Sequence, residues 1–87
     1  MKSKKYKEPM KEETETTINV LYDDNILSIY TNKVSLQKKL NKLIGEPKKE
    51  HKIKDKITGS FWDISLEDKI IIGRLLVKVD IFECMVR

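Results

Sequence analysis

Between Thr17 and Ile64 the apolar residues change their spacing twice, and that change confines the chain to a mixed α+β fold. From Thr17 to Tyr22 the sequence alternates, with Ile18, Val20 and Tyr22 on one side of an extended chain. From Ile26 to Thr31 it alternates again, Ile26, Ser28 and Tyr30 lying opposite Leu27 and Ile29. Asp23-Asp24-Asn25 falls between them, residues that hydrogen-bond their own backbone and tolerate left-handed conformations. Two short strands around a polar turn predict a β-hairpin.

The spacing then becomes helical. Leu36, Leu40, Leu43 and Ile44 share one face of a helix of about three turns, with Gln37, Lys38, Asn41 and Lys42 towards the other side. Asn32 is the predicted N-cap, Gly45 supplies a left-handed stop, and Pro47 blocks continuation. Alternation returns after Lys48. Ile53 and Ile57 sit among charges, Thr58-Gly59-Ser60 offers a turn or bulge, and Phe61 to Ile64 reads as a further strand. The lysines of the first of these two strands suit a sheet edge. Ser65 is the predicted cap of a second helix over 66–79, with Asp68 three residues on and apolar positions at 71, 72, 75, 76 and 79. Leu75, Val77, Val79 and Ile81 also alternate as a strand would, but the cap and the length of the run favour helix.

These elements sum to ββαββα, a small two-layer α+β domain whose antiparallel sheet carries both helices on one face. It occupies 17–82. Residues 1–16 hold five lysines and four glutamates, with Tyr6 and Met10 as the large apolar side chains, and read as a disordered or loosely held tail. Residues 83–87 form a short C-terminal end. A chain of 87 residues has room for one domain, and 39% hydrophobic against 37% charged residues gives it a thin core.

Little in the sequence supports catalysis. His51 is the lone histidine and Cys84 the lone cysteine, so neither an intrachain disulfide nor a histidine pair for a metal can form. A Cys84–His51 pair is outweighed by the reading of Cys84 as a small buried side chain and His51 as a solvated loop residue. Gly45, Gly59 and Gly73 are isolated, so there is no glycine-rich phosphate loop. Asp23, Asp24 and Asp63 could share a cation, but turn formation accounts for the first two. No catalytic residue, cofactor or metal is expected. The longest apolar run, 70–77, is broken by Gly73 and Arg74 and is far short of the ~20 residues of a membrane span. A cytoplasmic protein without a membrane partner is expected.

The charge is unevenly placed. Of the net +4, residues 33–56 supply the whole excess, with nine lysines against Glu46, Glu50 and Asp55. Lys38, Lys42, Lys48, Lys49, Lys52 and Lys54 on one surface would displace counterions from a phosphate backbone. Lysines lack the two-pronged fork with which arginine reads guanine, so binding would be weakly sequence-specific. The bias of 16 lysines to two arginines, with no alanine, also fits an AT-rich coding sequence, which weakens the functional reading. Aromatic stacking would favour single strands, and Tyr22, Tyr30, Phe61 and Trp62 are the candidates. Phe61 and Trp62 must point to opposite faces of a strand, so one of them lies on the open face of the sheet. Trp62 is the expected aromatic partner of the lysine patch. The alternative is a protein-interaction module using that open face through Leu27, Ile29, Phe61 and Trp62, as a homodimer, an adaptor or a small inhibitor of a larger complex, whether or not that complex handles nucleic acid.

Overall fold

The first hairpin forms where the alternation and the Asp-Asp-Asn cluster put it. In the computed structural model, which describes residues 4–75, strand β1 spans Thr16–Leu21 and β2 spans Ile26–Thr31. Asn25 takes the left-handed conformation at φ 56°, and its N–H donates to the Tyr22 carbonyl at 3.1 Å. Helix α1, Val34–Leu43, buries Leu36 and Leu40 and ends before Gly45, whose φ of 118° suits a residue without a side chain.

Two details of α1 correct the sequence reading. Asn32 does not cap it; Lys33 holds that position without a side-chain hydrogen bond. Asn32 lies beside Glu15 across the hairpin, so its side chain turns to that segment, accepting from the Glu15 N–H at 2.7 Å and donating to the Glu13 carbonyl at 2.8 Å. Gln37, placed by its polarity on the solvent side, is fully buried and accepts a hydrogen bond from the Ser60 hydroxyl at 2.7 Å.

The second hairpin joins β3, Lys49–Ile53, to β4, Lys56–Ser65. Its turn is Lys54-Asp55, with Lys54 left-handed at φ 60°. Thr58-Gly59-Ser60 is therefore no turn. β4 runs straight through it, and the register shift opposite His51 and Lys52 makes Thr58 the extra residue of a bulge. The last described element, α2, spans Lys69–Arg74. Its N-cap is Asp68, which accepts from the Ile71 N–H at 3.2 Å, whereas Ser65 accepts from the Glu67 N–H in the turn before it. The sequence reading of 76–82 lies outside the described residues.

All strand pairs are antiparallel, in the order β1-β2-β4-β3, so β3 is an edge, as its charges predict. Register fixes what each face carries. Ile18, Ile29 and Trp62 form one cross-strand row and Val20, Leu27 and Ile64 the next. Ile29, Trp62 and Ile64 join Leu36 and Leu40 of α1 and Leu75 just beyond α2 in one core, with Ile71 and Ile72 packed against it. Both helices therefore cover the same face.

Residues 4–7 lie in the segment read as a loosely held tail, and here they have partners. Tyr6 bridges Ile57 in parallel, Ile57 donates to the Lys5 carbonyl at 2.7 Å, and the Lys7 N–H donates to the Ile57 carbonyl at 2.9 Å. β4 extends beyond the end of β2, and the segment fills the vacated place beside it.

Candidate nucleic-acid interface

The described helices leave the other face of the sheet open, and the register lays out its side chains in rows. Thr17, Tyr30, Phe61 and Lys49 pair successively across all four strands. Directly opposed residues share a face, so the four stand side by side. The Tyr30 and Phe61 rings are 4.6 Å apart at their centroids and tilted by 42°. The ring of His51, from the edge strand, follows at 5.1 Å from Phe61. His51 is thus a strand residue beside aromatics, where the sequence suggested a solvated loop.

Gly59 makes this arrangement sterically feasible. A Cβ on it would sit 2.7 Å from the Tyr30 hydroxyl and 2.9 Å from a ring carbon. The tyrosine ring therefore lies over bare backbone. Burial, followed by the nearby charge of Glu15, raises the Tyr30 phenol above its ordinary value. The next row, Asn19, Ser28 and Asp63, is polar. Asp63 would repel a phosphate, but Lys48 reaches it at 2.8 Å. The Asp63 hydrogen bond and charge raise the Lys48 ammonium above its usual value.

The predicted site residues do not come together as one patch. Trp62 is in the core, 1% exposed, donating its indole N–H to the Gly45 carbonyl at 3.0 Å. It cannot meet a ligand; Phe61, half-buried on the open face, is the accessible aromatic of the pair. Leu27 and Ile29 also face the helices, so of the residues assigned to the alternative partner surface Phe61 alone lies on the open side. Lys38 and Lys42 are on α1, in the layer behind the sheet. Lys52 pairs in register with buried Ile57 and lies 4.0 Å from Glu50, which also places it on the helix side. Lys54 sits in the β3–β4 turn. Lys48 and Lys49 are the members beside the aromatic row.

A second polar cluster, on the helix side, escaped the sequence reading. The Lys4 ammonium contacts Glu46 at 2.7 Å and Glu50 at 2.6 Å, and the Asn41 amide donates to the Tyr6 hydroxyl at 2.7 Å. Lys38 stands 5.9 Å over the Tyr6 ring. Burial alone would lower the Lys4 ammonium, but the hydrogen bonds and charges of the two glutamates outweigh it and raise the value. Burial raises Tyr6 as well. The one sequence signal for this anchor was Tyr6, an aromatic stranded in a charged segment. Among the described residues, no group of acidic, histidine or cysteine side chains is arranged to hold a metal, and no helix is long and apolar enough to cross a membrane. No protein-family model, curated protein or solved structure matches the chain.

Proposed function

We propose that this protein is a non-catalytic module that binds single-stranded nucleic acid with little sequence preference on the open face of its sheet. The observation that carries the reading is the row Tyr30–Phe61–Lys49, two adjoining aromatic rings with a cation at the end, on a face no described helix covers. Every base offers a π-face to such a pair, whereas a duplex hides those faces in its own stack. Lys49, with Lys48 when it releases Asp63, supplies point charges for phosphates without reading base edges. Lys7 follows Tyr6, whose hydroxyl is held on the helix side, so alternation turns it towards the open side, whereas the Lys5 ammonium lies 3.6 Å from Asp55.

Fluorescence anisotropy with a labelled oligonucleotide, single-stranded and as its duplex, tests this across salt concentrations. The single strand should bind more tightly, with a log–log salt slope equivalent to roughly two to four phosphates. Phe61→Ala should weaken it about tenfold or more. Asp63→Asn should tighten it, since it removes an anion and frees Lys48. No binding to either form at about 50 mM salt overturns the reading, because phosphate contacts are strongest there.

A further inference from the structure

The two edges of the sheet are built differently. β3, Lys-Glu-His-Lys-Ile, is charged along its length and faces a bulge, the devices that keep sheet edges from pairing. β1, Thr-Thr-Ile-Asn-Val-Leu, has no charge, no proline and no bulge in a chain that is 37% charged. The Asn32 N–H donates to the Glu15 carbonyl, so in this antiparallel ladder residues 15, 17, 19 and 21 direct their backbone groups to β2. The N–H and C=O groups of Thr16, Ile18 and Val20 point outward and have no partner among the described residues. Three of the six exposed large apolar side chains among the described residues gather at the same place: Val20, Leu21 and Tyr22 are consecutive and 44%, 42% and 81% exposed.

We propose that β1 is a self-association edge, pairing antiparallel with β1 of a second copy about a two-fold axis at Val20. Opposed residues in a continuous sheet must share a face, which permits a two-fold axis only at a residue, not between residues. Centred on Val20, the pairing sets Val20 against its own copy and Asn19 against Leu21 within β1, and brings Ile18 to Tyr22, the first residue of the turn. The outward N–H and C=O of Val20 meet those of its own copy, while the Tyr22 carbonyl stays with the Asn25 N–H of the turn; Val20, Leu21 and Tyr22 are covered, and no like charges oppose each other. A register centred on Ile18 instead sets apolar Leu21 against Glu15, and one centred on Asn19 opposes residues whose backbone groups already bond to β2. A second copy thus covers the apolar end of the edge from the edge's own sequence. The product is a continuous eight-stranded sheet with both open faces on one side, and it does not depend on nucleic-acid binding.

Sedimentation velocity on the intact protein over about a hundredfold range of concentration tests it, since an association of this kind follows mass action. A concentration-dependent dimer of twice 10.2 kDa is expected. Val20→Lys sets two cations face to face on the axis and should give a monomer, while Ile53→Lys on the β3 edge should leave the dimer intact. Tyr22→Ser, at a residue too exposed to affect folding, should raise the dissociation constant several-fold. Amides of Ile18 and Val20 should be protected from hydrogen exchange in the wild-type protein and lose protection in Val20→Lys. A protein monomeric at every concentration overturns the proposal, whether those amides exchange freely or are protected within one chain. So does a Val20→Lys variant that remains dimeric.

Discussion

Phe61 and Trp62 are neighbours in the chain and carry out opposite tasks. Trp62 faces the helices, with its ring in the apolar core and its indole N–H held by Gly45. Phe61 faces away, half-buried against Tyr30 and His51. The same division runs along the sheet. Its covered face joins Ile29, Trp62 and Ile64 to both helices, whereas its open face sets two rings among Thr17, Ser28, Lys49 and Asp63. In so small a domain one face must supply nearly all the burial, which leaves the other free to carry residues chosen for contact.

The largest test of this contrast is to truncate each aromatic in turn. Trp62→Ala should cost about 3–5 kcal/mol, a large part of the roughly 5–15 kcal/mol that stabilises a domain. Phe61→Ala should cost about 1–2 kcal/mol, from partial burial and one ring contact. Urea unfolding followed by circular dichroism measures both. Equal losses would mean that the open face is structural. A smaller effect is expected from Gly59→Ala, whose methyl must push the Tyr30 ring aside. The loss should be about 1 kcal/mol, because the displaced ring is half exposed and forfeits mainly its contact with Phe61. Nuclear Overhauser contacts between the two rings should disappear in that variant while the core signals stay in place.

The smallest effect is a shared one. Each side of the sheet holds one tyrosine and one lysine whose values are raised: Tyr30 and Lys48 on the open side, Tyr6 and Lys4 on the helix side. A raised lysine stabilises the fold below its unfolded value of 10.5, and that contribution is lost as pH climbs through the folded value. A raised tyrosine resists ionisation in the fold, so stability falls once pH passes the unfolded value of 10.0. All four therefore act in the same direction. Thermal unfolding should show a falling midpoint above about pH 10. Tyr30→Phe and Tyr6→Phe should each flatten that fall, and a flat profile in the wild-type protein would contradict both environments.

The elements that were legible in the sequence are those whose punctuation and periodicity agree. Asp23-Asp24-Asn25 predicts the first turn and does form it, and Leu36, Leu40 and Gly45 define α1. The second turn was hidden because the stronger turn residues have another use. Gly59 serves the approach of Tyr30, and the chain reverses instead at Lys54-Asp55, where a lysine accepts a left-handed conformation. Alternation required Phe61 and Trp62 to part without saying which went inward. Ile64 shares the parity of Trp62 and Asp63 that of Phe61, which would have decided it, but Ile57 pointed the other way because the bulge at Thr58 inverts parity. Gln37 was misplaced for a different reason. Its burial depends on Ser60, a partner 23 residues away that no local pattern names. The lysines of 33–56 are close in sequence, yet helix and strands send them to both sides of the sheet.

The strand order β1-β2-β4-β3 also bears on how the chain reaches this state. β1 with β2, and β3 with β4, are each closed by a short turn, so both ribbons can form from near neighbours on a timescale of about microseconds. One seam remains, β2 against β4 from Thr31–Ser60 to Ile26–Ser65, and α1 spans the connection it must close. That seam is also where Ile29 meets Trp62 and Leu27 meets Ile64. Joining the two ribbons and drying the core are therefore the same event, and apart from the docking of residues 4–7 beside Ile57 the search for long-range contacts narrows to that step.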